Sequence, residues 1–155
     1  MSANRAGTNE REALVGKAID AAKKEVIIDN EYATVWCLTE DKIIHHQFKQ
    51  FTQGDNFRNA LLAGAEAFEK YGCTKWLSDD RKIGVMDKED TDWGETHFTP
   101  RVVRAGWKQW VNIMPDRVAG KMRIKNVIEH FKTFGIEVRV FDDPDEGYKW
   151  LAGIE

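Results

Sequence analysis

Cysteine is scarce: only Cys37 and Cys73 occur in 155 residues. They form no CxxC pair and both lie in apolar runs, so they read as buried thiols in a reducing compartment. Long hydrophobic runs are missing. None approaches the ~20 apolar residues of a membrane helix, and the opening MSANRAGTNERE offers no stretch for a secretory signal. The reading is therefore cytoplasmic, with no membrane span. An excess of positive charge is missing too. The net charge of −3 argues against a nucleic-acid partner, which requires a basic face to neutralise phosphates. GxGxxG, GxxxxGK[ST] and GxSxG are absent, so dinucleotide, P-loop and hydrolase-elbow chemistry have no support.

What is present is the composition of a globular protein: 42% hydrophobic and 32% charged residues. A chain of this length is most simply one domain, able to bury roughly 68–70% of its unfolded surface. Residues 1–10 are small and polar and read as a disordered tail. Residues 11–24 place Leu14, Val15, Ala18, Ile19 and Ala22 on one helical stripe. That stripe can cover the domain or pair with a second copy in a homodimer.

Residues 25–155 then read as a single α/β domain. EVIID (25–29), YATVWCLT (32–39) and IIHHQF (43–48) are β-branched or aromatic segments on short links, hence an antiparallel meander. From residue 43 strands and helices alternate. Asp55 to Gly72 spaces Phe57, Leu61, Ala65 and Phe68 at helical intervals. CTKWLS (73–78), WVNIM (110–114) and IEVRVF (136–141) read as strands. Thr99-Pro100 predicts a helix start running to about Gln109, Pro115-Asp116 a long helix stopped by Gly135, and Asp143-Pro144 a last helix. The predicted fold is a mixed sheet with an N-terminal antiparallel meander, then β-α units with helices packed on the sheet.

In such sheets ligands bind beyond the carboxyl ends of the strands. KWLSDDRK (75–82) runs from a buried strand into dense charge at that position. Residues 79–95 hold seven acids and three bases. The stretch reads as a long rim connection with Trp93 folding back to anchor it. An EF-hand is a poor match, because no register aligns glycine and glutamate with the acids. Asp79 and Asp80, being adjacent, point apart and rarely share a proton. A salt-bridged hinge with Arg81 clasping a carboxylate fits better. Ser78 is a phosphorylation candidate whose aspartate neighbours would repel the added charge. His45 and His46 face opposite sides of a strand and, like His97 and His130, read as core or surface residues. Six tryptophans suit packing, or else an aromatic-walled pocket.

The run CTKWLSDDRK, the acidic EDTDW that follows, GWKQW before a strand, and the closing VFDDPDEGYKWL resemble small bacterial STAS-like proteins over about residues 30–152. These are related in fold to anti-sigma-factor antagonists and CRAL-TRIO lipid carriers. The resemblance implies a mixed sheet flanked by helices. It also implies either a regulatory module or a carrier with an apolar cavity between sheet and helices. The combined expectation is a non-catalytic binding or regulatory module without cofactor or metal. Its rim of Trp76, Ser78, Asp79, Asp80, Arg81, Asp92 and Trp93 would meet a protein partner or small molecule. Two alternatives are a carrier of a small apolar, lipid-like molecule and a small enzyme using Asp79, Asp80 or Asp92 with His97.

Overall fold

The structure, a computed structural model, describes residues 18–114 and 121–155. Six strands form one sheet in chain order: β1 (Lys24–Asp29), β2 (Ala33–Leu38), β3 (Ile43–Phe48), β4 (Lys75–Asp79), β5 (Gln109–Ile113) and β6 (Glu137–Phe141). β1 to β3 pair antiparallel and β3 to β6 pair parallel. This is the mixed sheet that the segment pattern predicts. Residues 30–32 and 39–42 are too few to cross a sheet, so the chain turns back at each. Asn30 closes the first turn by accepting from the Tyr32 and Ala33 amides at 2.8 and 3.0 Å. Among the described residues β1 is an open edge, and a bulge between Val26 and Ile28 breaks its hydrogen-bonding row, which discourages another strand from docking there.

Helix α1 (Asp55–Tyr71) joins β3 to β4. A helical run joins β4 to β5: α2 (Lys88–Trp93), a π-turn (Gly94–Phe98) and α3 (Thr99–Arg104). α4 (Lys121–Lys132) precedes β6 and α5 (Pro144–Ala152) follows it. Parallel strands added always in one direction, with crossovers of one hand, put every connecting helix on one face. The packing agrees: Phe57 and Leu61 of α1, Phe98 and Val102 of the middle run and Phe131 of α4 share a core with Val35, Ile44 and Trp76. The chain ends close the other face, where Ile19, Tyr148 and Leu151 pack on Leu38, Leu77, Val111 and Ile113. Asp145 ties those ends together by accepting the Ile19 amide at 3.0 Å. Cys37 and Cys73 are free, buried thiols with sulfurs 3.8 Å apart. Their shared hydrogen bond, with burial, pushes the Cys73 thiol well above its ordinary range.

Two glycines set how closely helices approach the sheet. A Cβ on Gly64 of α1 would lie 2.6 Å from the Trp76 ring. One on Gly147 of α5 would lie 2.8 Å from Val111.

Several boundaries differ from the sequence reading. The predicted N-terminal helix is helical at 18–21 among the described residues and gives way to β1 by Lys24, which pairs with Leu38. Its earlier part, the tail 1–10 and the Pro115-Asp116 helix start lie outside the described residues. The connection after residue 79 is largely helical instead of an extended loop. Asp87 starts the helix as N-cap, its carboxylate accepting the Asp90 amide at 2.8 Å. Thr99 is therefore no cap. It sits mid-run with helical φ and ψ of −56° and −49°. Pro100 has no amide hydrogen, and its ring crowds the carbonyl four residues back. The chain answers with the π-turn, in which the Thr99 amide donates to Gly94, five residues earlier. The run ends at Arg104, short of Gln109, which opens β5.

Candidate functional site

β4 distributes its residues by parity. Leu77 joins the core under α5, while Asp79 meets Gln47 and Arg81 on that same side. Trp76 and Ser78 face the α1 side. The Asp80 amide still donates to Ile113 at 3.0 Å, so the ladder extends one residue and Asp80 also points to the α1 side. Between this part of the sheet and the helices lies a cavity of about 200 Å3. Trp76, Trp107, Trp110, Phe57, Phe98 and Phe131 supply most of its wall. His46, Ser78 and Asp80 supply polar groups from the sheet, and Asp90, Thr91, Glu95 and Thr99 from the helical run. Its polar lining from the sheet, His46, Ser78 and Asp80, lies toward the carboxyl ends of β3 and β4, where sheets of this type bind ligands.

The aromatic walls stand at angles to one another. Trp76 meets Phe98 edge-on, with centroids 5.1 Å apart and planes at 89°. Trp110 lies 4.7 Å from Phe131 at 58° and 5.7 Å from Trp107 at 59°. Such tilted pairs hold each other in place and add to the burial energy of each ring. The π-turn contributes Gly94, Glu95 and Phe98 to the wall; widened turns of this kind recur at functional sites.

A chain of hydrogen bonds crosses the sheet side. The Trp76 indole Nε1–H donates to His46 Nδ1 at 2.9 Å. His46 Nε2 lies 2.8 Å from Asp80 Oδ1, and Asn112 Nδ2 donates to Asp80 Oδ2 at 2.7 Å. An indole is a donor only, so Nδ1 carries no hydrogen and Nε2–H is the proton given to Asp80. His46 is thereby fixed in one neutral tautomer. With both nitrogens engaged it is not a free general base. Ser78 Oγ accepts from the Trp110 indole at 2.9 Å and makes no bond to a histidine. Ser78 and His46 therefore form no nucleophile–base pair with each other.

His45 shows the opposite situation. It stacks on Trp36 with centroids 4.6 Å apart, and neither ring nitrogen has a partner among the described residues. Burial drives its pKa from 6.5 down to about 3. Asn112 Oδ1 is likewise buried without a donor among the described residues.

The rim residues expected from the sequence separate into three groups. Trp76, Ser78 and Asp80 line the cavity. Asp79 and Arg81 turn to the other face, where Arg81 Nε and Nη2 clasp the carboxylate at 2.9 and 2.7 Å. That bond raises the Arg81 pKa, and the clasp is the salt bridge expected of the hinge. Asp92 pairs with Lys88 on the outer face of α2 at 2.6 Å and lies outside the cavity lining. Trp93 packs on Phe57 and Phe98 beneath the Arg58 guanidinium, 5.6 Å from its ring, and so anchors the run. Asp79, Asp80, Asp92 and His97 do not converge: His97 stacks on Trp93 and is not part of the cavity lining. Ser78 is 3% exposed and so closed to a modifying enzyme. His46, Asn112, Trp110 and Asp90 were missing from the expected site. Only the parity shared by Trp76, Ser78 and Asp80 hints at it in the sequence.

Among the described residues, no group of three or more His, Cys, Asp or Glu is placed to hold a metal ion. No helix among them is long and apolar enough to cross a membrane. No protein-family model, curated protein or solved structure matches the chain.

Proposed function

We propose that this protein is a non-catalytic binding module for a small amphipathic molecule, held between the sheet and the helices of the α1 side. The observation that carries this reading is the aromatic cavity of about 200 Å3 with Asp80 at its polar end. The rim itself offers less to a protein partner, because Asp79 and Arg81 neutralise each other. The volume, below the ~300–1,000 Å3 usual for drug-sized ligands, favours a compact guest over a lipid chain. Free buried thiols support a reducing, cytoplasmic setting. Kinship with STAS-like proteins is part of the proposal, supported by the in-order mixed sheet with its N-terminal meander.

Titration with indole, followed by NMR of the six tryptophan Nε1–H signals, tests the cavity. Trp76 and Trp110 should shift, while Trp36 and Trp150, on the opposite face, should not. Gly94→Phe should abolish the response, since a Cβ at Gly94 meets no atom within 4 Å and leaves room for a blocking ring. Equal shifts at all six signals, or none at Trp76 and Trp110, would refute the assignment.

A further inference from the structure

We infer that the cavity selects an organic cation: a primary or secondary ammonium on a compact apolar body. This rests on the binding-module reading and adds the charge of the guest. Three observations lead to it.

First, the charges lining the cavity are of one sign. Asp80, Asp90 and Glu95 contribute carboxylates, and no lysine or arginine among the described residues lines it. Asp90 is answered locally by Arg58 at 3.2 Å and the Gly54 amide at 2.8 Å. Among the described residues Asp80 has no such counter-charge: its side chain is 20% exposed, and its described side-chain partners are the Asn112 amide and His46. The indole N–H of Trp76 holds His46 neutral, so neither partner brings a charge. Arg81, the nearest basic residue in sequence, is spent on Asp79 across the sheet. A partly buried carboxylate without a counter-charge is costly, and a bound cation would lower that cost.

Second, Asp80 has acceptor capacity left. A carboxylate offers about four lone-pair sites, and the two protein bonds use one on each oxygen. Charge-assisted N–H···O bonds from an ammonium are the strongest that could fill the rest.

Third, the walls suit a cation and its apolar body. Trp76, Trp107, Trp110, Phe98 and Phe131 surround the space at mutual tilts, so ring faces are presented from several sides. Such boxes attract ammonium groups through the ring quadrupoles. The volume of about 200 Å3 exceeds the ~150 Å3 of a cavity that takes up benzene. It therefore has room for a ring-sized body with a short amino arm.

Three probes of one shape test the charge: phenethylamine, phenethyl alcohol and phenylacetate, titrated into the full chain by calorimetry and followed by the tryptophan Nε1–H signals. The amine should bind at least about tenfold tighter than the alcohol, and the phenylacetate weakest. Asp80→Asn should remove the amine's advantage and bring the amine-to-alcohol affinity ratio to about one. Should that variant misfold, the ranking on the unaltered protein still decides. Equal affinity for amine and alcohol would overturn the cation assignment and leave the cavity reading standing, as would tightest binding of phenylacetate. Failure of all three probes, with indole also silent at Trp76 and Trp110, would overturn both.

Discussion

Adjacent histidines on β3 carry opposite physics, and this follows from the two faces they occupy. His46 is bonded at both nitrogens; His45 at neither, among the described residues. The consequence for stability concerns His45. Its ring is neutral in the fold down to about pH 3, whereas in the unfolded chain it takes a proton near 6.5. Below 6.5 the unfolded state therefore binds the extra proton, and stability falls with falling pH through that window. The loss between pH 7 and pH 5 is about 2 kcal/mol from this residue alone. His45→Phe keeps a ring against Trp36 and removes the proton. Urea unfolding of the variant should lose about 2 kcal/mol less than the parent protein between those two pH values. An unchanged pH dependence would mean that His45 is solvated in the fold. Nothing in the sequence distinguishes these histidines beyond parity. Which one meets Trp76 and Asp80 depends on how β3 registers against β4, with His46 beside Ser78.

Among elements, the helical run from Lys88 to Arg104 shows best how local signals compete. Asp87 and Pro100 are both good start signals, and the first one wins because its carboxylate caps an amide. Pro100 then survives inside the run through the π-turn, which carries Gly94 and Phe98 into the cavity wall. Glycines elsewhere in helices are there for contact. Gly147→Ala should destabilise by about 1–3 kcal/mol, because the added Cβ would meet Val111 and Ile113 at 2.8 and 2.9 Å. Gly94→Ala, with open space around its Cβ, should leave stability unchanged or raise it by up to about 1 kcal/mol. Thermal or urea unfolding of the two variants checks the contrast. Equal effects would show that the helix–sheet spacing on the α5 side is looser than these distances. The long acidic stretch was legible as a rim element anchored by Trp93. Its helical form was not, since seven acids mask a weak apolar period.

At the scale of the whole molecule, protection should follow depth in the sheet. β4 is buried along its full length and β3 at five of its six residues, whereas β1 has none that is buried. Native amide exchange should be slowest in β3 and β4, close to global unfolding, and fastest in β1. Protection in β1 equal to that in β4 would point to a partner strand on the open edge. The in-order topology also explains why the cavity lies where it does. Three successive crossovers place α1, the middle run and α4 side by side on one face. They cover that face with aromatic residues and leave the cavity between them and the sheet, with His46, Ser78 and Asp80 of its lining toward the carboxyl ends of β3 and β4.

The sequence by itself determined the strands and their order of alternation with helices: short links forced the meander, alternation set the faces of β3 and β4, and alternating strands and helices implied a parallel half. These are local consequences of period and link length, which a chain carries without folding. Tertiary structure alone decided the site. Trp76, His46, Asp80 and Asn112 meet across 30 to 34 residues of chain. Only the register of three parallel strands, fixed by packing their buried faces, brings an imidazole and an amide to one carboxylate and an indole to that imidazole.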